Sequence, residues 1–339
     1  MQPVYVRRVG MACPVGLRWK AACAAMRAGI NRKQELPYRD NEGEPIIGSF
    51  LKGLDECVTA EERWLALLKY ALEDATAEFE RGVLETLPIV LSLSADATGQ
   101  PPEVVSTVQA LAQKLGVAIE PRNVRVVSEG AVGGYRAIEL GRQLLERSRQ
   151  PACLVAATDS LVNARSLLHL CETGRLLTPE NADGVIPGEA AACLVLSRDR
   201  EDALATVLGV GFGREPALLS NDIPLRGEGM TSAARAALCE AGLAMHDMDF
   251  RLSDAAGDGY AFKEQALVVT RLLRQGKEEF PLWLCADTLG DTGAAAGLCG
   301  LASAIAAFQR GYAPGPRAIG FVGNEAGQRA ALVLEAPTS

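Results

Sequence analysis

Residues 181–197 read NADGVIPGEAAACLVLS. Asp183, Gly184 and Gly188 mark a loop, and from Glu189 onward the run turns almost wholly apolar, the pattern of a strand covered on both faces. A second such run, CLVAA at residues 153–157, precedes it. Outward from these two strands, apolar residues switch repeatedly between the strand and helix periods, so a layered α/β fold is expected rather than a sandwich or a bundle. On the N-terminal side, Thr59 and Glu62 form a capping box that opens a helix carrying Trp64, Leu65, Leu67, Leu68 and Leu72 on one side. Strands are predicted at 87–94 and 124–127, with helices at 103–115 and 133–146. On the C-terminal side, strands are predicted at 203–210, 250–252, 281–285, 319–322 and 331–334, with helices at 232–241, 264–273 and 294–308. The charged joint RDRED at 198–202 is the expected boundary between two halves, 1–200 and 201–339.

Composition narrows the function classes. With 48% apolar and 22% charged residues, the 339-residue chain is neither a disordered nor a disulfide-scaffold protein. The net charge is −8 and no basic run occurs, so neither nucleic acid nor an anionic membrane is an expected partner. The longest uncharged stretch, 292–309, is mostly Ala and Gly; it reads as a buried helix, not a membrane span. Arg7 and Arg8 interrupt any apolar leader, and the expected location is the cytoplasm. Nine cysteines show no metal-ligand spacing and read as small buried hydrophobes, so no metal and no cofactor is expected. The GDTGAAAG run that starts at Gly290 has neither the lysine of a P-loop nor a dinucleotide fingerprint. The β-branched run at 124–127 reads as an exposed edge that pairs across a two-fold, giving a dimer with one ten-stranded sheet across both protomers.

The loop and strand at 181–197 resemble the signature that follows the active-site helix in β-ketoacyl synthases, the condensing enzymes of the thiolase fold. Further motifs follow in family order: 10–16 (GMACPVG), 25–30 (AMRAGI), 152–160, 241–243 with Asp247 and Asp249, Gly290 with 292–297, and Gly320-Phe321 with Gly323. The resemblance implies two similar halves, each with a mixed five-stranded sheet, in α-β-α-β-α layers. It also implies a nucleophilic cysteine at a helix N-terminus, where amides and the helix dipole lower the thiol pKa, together with two histidines and a lysine.

None of these four groups is carried over. The cysteine position falls on Ala131, within Ser128-Glu129-Gly130-Ala131, and the second histidine on Asp291, between Gly290 and Thr292. The lysine falls on Ala286, and the first histidine on Asp254 or Ala256, depending on register. His169 is expected as a packed core histidine and His246 as a solvated one. The pocket candidates are Ser128, Glu129, Asp258 and Thr292 beside Asp254 and Asp291; the carboxylates are either remnants of a lost site, an acid/base pair or a cation site. The resemblance therefore suggests a non-catalytic chain acting by binding. One setting is an accessory protein that helps load type VI secretion effectors; another is the inactive, chain-length-factor-like partner of an active ketosynthase or its acyl carrier protein. An enzyme of altered chemistry using Asp254 and Asp291 on an acyl substrate is a third.

Overall fold

The computed structural model describes residues 2–54, 59–79, 82–94, 102–147 and 150–337; Cys57 lies outside them. The strands are β1 (Val4–Ala12), β2 (Lys33–Arg39), β3 (Pro45–Ser49), β4 (Ile89–Ser92), β5 (Val124–Val127), β6 (Ala152–Ser160), β7 (Glu189–Ser197), β8 (Ala205–Arg214), β9 (Phe250–Ser253), β10 (Leu282–Leu284), β11 (Arg317–Gly323) and β12 (Gln328–Glu335). The helices are α1 (Trp19–Arg27), α2 (Ala60–Ala75), α3 (Val83–Thr86), α4 (Val104–Leu115), α5 (Gly133–Arg147), α6 (Ala164–Glu172), α7 (Glu228–Ala241), α8 (Gly259–Leu272), α9 (Ala286–Leu289) and α10 (Ala296–Arg310).

Ten strands form one sheet in the order β10-β9-β11-β12-β8-β1-β7-β6-β4-β5. From β1 outward to β5 the pairings run antiparallel, antiparallel, parallel, parallel, and from β8 outward to β10 the same series recurs. The halves meet where Val4, Tyr5 and Val6 pair with Val207, Thr206 and Ala205. Apolar packing sets five layers. One core holds α2 and α4 against the outer face of the first half-sheet, and another holds α7 and α8 against the second. Between them α5 and α10 are packed from both sides. This is the thiolase arrangement.

Sequence explains most of these elements locally. All nine residues of β7 are buried, as a continuous apolar run demands. The Thr59 hydroxyl accepts from Glu62 N (3.1 Å) while Thr59 N donates to Glu62 Oε2 (3.0 Å), closing the capping box of α2. The small residues of α10 let it sit between the half-sheets, and no helix among the described residues is long and apolar enough to cross a membrane.

Three expectations change. The ten-stranded sheet lies within one chain, because β1 pairs with both β7 and β8; β5 is its terminal strand. The β2–β3 hairpin and α6 stand where no element was expected. Cys239 is exposed and Cys171 half-buried, unlike the buried Cys13, Cys23, Cys153, Cys193, Cys285 and Cys299.

Candidate functional site

Beyond β5 the chain turns at Gly130, whose φ of 55° is a conformation that favours glycine. Ala131 follows in the short 3₁₀ turn Gly130–Val132 that leads into α5, where the first helical amides lack partners within the helix. The side chain offered at this position is a methyl group.

Residues from the second half face the same space. Asp254 follows β9, Asp258 caps α8 by accepting from Ala261 N (3.0 Å), and Asp291 follows α9. Ser128, Glu129, Ala131, Asp254, Ala256, Asp258 and Asp291 all line one cavity of about 960 Å³, within the size range of small-molecule sites. Two candidates are not on its wall: Ala286 begins α9, and Thr292 is buried at 2% exposure.

The stretch at 181–197 lies behind this wall and holds its Asp291 loop in place. Any Cβ at Gly188 would lie 2.0 Å from the Leu289 carbonyl oxygen, so glycine alone permits the two backbones to touch. Gly188 N donates to Asp291 O (2.8 Å) and Asp291 N to Ile186 O (2.7 Å), which fixes the Asp291 loop. The neighbouring Glu189, fully buried, accepts from Arg63 Nε (2.8 Å), Arg63 Nη2 (2.7 Å), Leu51 N (2.8 Å) and Ser160 Oγ (2.7 Å). Strand, helix α2 and loop are thereby tied at one buried carboxylate.

Burial dominates the electrostatics. It pushes the Asp254 carboxyl up to about 7, with the Asp291 and Asp258 charges adding and the Gly323 amide (2.7 Å to Oδ2) and Arg329 opposing. Asp291 is likewise raised by burial, against the Gly293 amide (2.9 Å to Oδ1) and Arg175. Arg329 and Glu264 form a buried pair at 2.8 Å, yet burial outweighs Arg329 and pushes Glu264 up to about 7.

Asp159, which sequence reasoning missed, also lines the cavity at 4% exposure. It accepts from Ser160 N (2.8 Å), Ala294 N (2.9 Å) and Ser94 Oγ, and burial raises its pKa. The signal was the TDS triplet at 158–160, polar residues ending an apolar run.

His169 is a correction. It is not a core residue: α6 buries Leu167 and Leu170, leaving His169 exposed, with Nε2 2.8 Å from Glu325 Oε2. Arg175 bridges Glu325 and, at 3.7 Å, Asp258 on the same wall. His246 is half-exposed, 3.5 Å from Asp247.

Among the described residues the wall carries no cysteine and no lysine, and its imidazole is His169. Such a wall can receive a polar or charged ligand and share a proton between carboxyls, but it offers no thiol for covalent catalysis.

No known family profile matches the chain. It is 27% identical over 205 residues to a phenolphthiocerol/phthiocerol polyketide synthase of Mycobacterium tuberculosis, covering 56% of this chain and 9% of that protein. It is 27% identical over 204 residues to the protein named actinorhodin polyketide β-ketoacyl synthase 2 of Streptomyces coelicolor, covering 55% and 48%. The matched region is thus less than half the length of either relative. Among solved structures, the ketosynthase from module 6 of the Bacillus subtilis bacillaene synthase superposes with a TM-score of 0.78 at 15% identity, over 100% of this chain and 73% of that one. The ishigamide ketosynthase/chain length factor gives 0.78 at 17% identity over 99% of both chains. A ketosynthase in complex with its chain length factor from Xenorhabdus doucetiae gives 0.75 at 17%, over 99% and 98%. Fold and layers define a thiolase-fold protein. Within that class, its relatives and structural neighbours are β-ketoacyl synthases and ketosynthases, and the chain is a β-ketoacyl-synthase-like protein.

Proposed function

We propose that the chain is a non-catalytic ketosynthase-like protein that works by binding. The observation that carries this reading is Ala131 at the turn into α5, on a wall without cysteine or lysine among the described residues. The positions Asp254 or Ala256, Ala286 and Asp291 stand, on this reading, where a ketosynthase has its two histidines and its lysine. Incubation with acyl-thioesters followed by intact-mass measurement tests it: no adduct is expected, and a stable acyl adduct on any residue overturns it.

The partner we propose is a second thiolase-fold chain, either a copy of this one or an active ketosynthase with its acyl carrier protein. The terminal position of β5 supports this, as does the neighbour from Xenorhabdus doucetiae, which is itself a ketosynthase with a chain length factor. Light scattering should return a dimer, or a monomer that pairs when the ketosynthase is added. Pull-down from the native host should recover a ketosynthase or an acyl carrier protein; recovery of a type VI secretion effector would instead assign the accessory role. Halves divided near residues 198–202 and a cytoplasmic location belong to the same proposal. The raised Asp254 carboxyl beside Asp291 favours, as a second reading, acid/base chemistry on a carbonyl substrate.

A further inference from the structure

Charge is unevenly placed along the chain. The first 34 residues contain seven Lys and Arg and neither Asp nor Glu, although the net charge of the whole is −8. Three of the seven reach carboxylates of other segments: Arg7 meets Asp199 at 3.8 Å, Arg8 meets Glu78 at 2.9 Å and Arg18 meets Asp74 at 3.5 Å. The other four, Lys20, Arg27, Arg32 and Lys33, form no ion pair among the described residues. Asp74 does not answer them, because its side chain is only 9% exposed and is turned inward to accept from Trp19 N (2.7 Å).

Helix α1 sets these charges on one surface. Trp19, Ala22 and Cys23 pack into the core, and Lys20, Ala21, Ala24, Arg27 and Ala28 are exposed on the opposite side. Lys20 and Arg27 are seven residues apart, about 10 Å along the axis, with only alanine exposed between them. The Arg27 guanidinium lies 3.9 Å from the centre of the Tyr312 ring. Arg310, exposed at the end of α10, stands on the same side: burial raises the Tyr312 pKa, and the Arg27 and Arg310 charges both oppose that rise. Leu17 and Ile30, at the two ends of the face, are 37% and 52% exposed, and Ile30 N donates to Ala25 O (3.0 Å), which fixes it against the helix. None of these residues lines the cavity.

We infer that the outer face of α1 docks an acidic amphipathic helix of a partner protein, whose carboxylates meet Lys20, Arg27, Arg32 and Arg310 while its apolar side chains rest on the alanines between Leu17 and Ile30. Charge complementarity selects this occupant: cations that no carboxylate of the chain answers attract one from outside, and small side chains let two helices approach closely. An anionic membrane is disfavoured, because the apolar side of α1 is turned into the core and leaves only Leu17 and Ile30 outside. A nucleic acid is disfavoured, because the chain beyond residue 34 carries 27 Lys and Arg against 42 Asp and Glu and repels a long polyanion. A second copy brings the same net charge of −8 and is repelled likewise. The surface is separate from the β5 edge and from the cavity.

Fluorescence anisotropy of the full chain with labelled peptides tests it. One probe is two repeats of the heptapeptide ELAEALE, which gathers its leucines on one helical face; the second has the same composition with the leucines spread round the helix. The amphipathic probe is expected to bind at least tenfold tighter than the scrambled one. Lys20→Glu and Arg32→Glu should each weaken it severalfold and together at least tenfold, with circular dichroism confirming the fold, whereas Lys114→Glu, the same charge change at the exposed end of α4, should bind as the parent does. No binding of the amphipathic probe, equal binding of the two probes, or an equal loss in Lys114→Glu overturns the inference. So does tighter binding to a 20-base-pair DNA duplex or to vesicles containing phosphatidylserine, or a homodimer in light scattering that Lys20→Glu with Arg32→Glu separates. The comparison of the two probes needs no variant, so a misfolded substitution leaves it decisive. An acyl adduct in the mass experiment would remove the non-catalytic reading and leave this surface as it stands; failure of the peptide probe would remove this inference alone.

Discussion

Replacing Arg63 by Met keeps most of the side chain's length and removes the cation from the buried knot at Glu189. In the parent protein Arg63, 9% exposed, makes two contacts to the carboxylate at 2.8 and 2.7 Å and donates to Leu54 O at 2.8 Å. The variant leaves a carboxylate of zero exposure with, among the described residues, only Leu51 N and Ser160 Oγ as donors. Breaking one side of a buried pair costs roughly 3–5 kcal/mol, because the remaining ion keeps its desolvation penalty. At about 2.1 cal/mol/K per residue, a 339-residue chain unfolding as one unit has an unfolding entropy of roughly 0.7 kcal/mol/K, so Tm should fall by about 4–7 °C. Arg63→Met/Glu189→Leu should recover part of this loss, since no charge is then stranded, while Leu51 N and Ser160 Oγ each lose about 1 kcal/mol. Scanning calorimetry and urea titration of the parent, the two single variants and the double variant measure the cycle. An Arg63→Met variant within about 1 kcal/mol of the parent, or a double variant no better than it, refutes the reasoning.

Three further outcomes are expected. Asp254 binds its proton more tightly folded than unfolded, so its contribution to stability falls as pH rises from about 4 through 7; urea titrations should show Asp254→Asn equal to the parent near pH 4 and more stable at pH 8, by at most about 4 kcal/mol, whereas a pH-independent difference would contradict this. Gly188→Ala puts a methyl carbon 2.0 Å from a backbone oxygen and should cost about 3 kcal/mol or more, or abolish soluble expression; a variant as stable as the parent would show that the two loops can part. Ala131→Cys should yield no condensation product by mass spectrometry, since a thiol without its partner groups loses the transition-state stabilisation they supply together; turnover would show that the remaining wall suffices.

Elements with long apolar runs or clear caps were legible in the sequence: β6, β7, α2, α4, α5 and α10 lie within a few residues of their expected bounds. The β2–β3 hairpin was not, because KQELPYR is polar and carries Pro37, and its strands bury little. His169 was misread for a related reason. In α6 the apolar residues Leu167 and Leu170 define the inner face at an i, i+3 spacing, and Leu168, apolar but exposed, falsely widened it. Asp159 was hidden because polarity usually ends a buried strand, whereas here three hydrogen bonds let the carboxylate stay inside. Ala131 and Asp291 could be named as candidates from a family pattern alone; that they face one cavity with Asp254 depends on loops from both halves, which no local period encodes.

The three-residue seam between β1 and β8 bears on how the chain is made. The first strand lies in the middle of the sheet, but its partners are Glu189–Ser197 and Ala205–Arg214, nearly two hundred residues later. At about 5–20 residues per second, β1 waits on the order of ten seconds or more of synthesis before either neighbour emerges. Its valines, Val4, Val6 and Val9, all at most 2% exposed in the finished sheet, are during that interval an unpaired β-branched segment open to wrong pairing. Translation pace and chaperone access between the synthesis of β1 and that of β8 should therefore govern yield more than the final stability does.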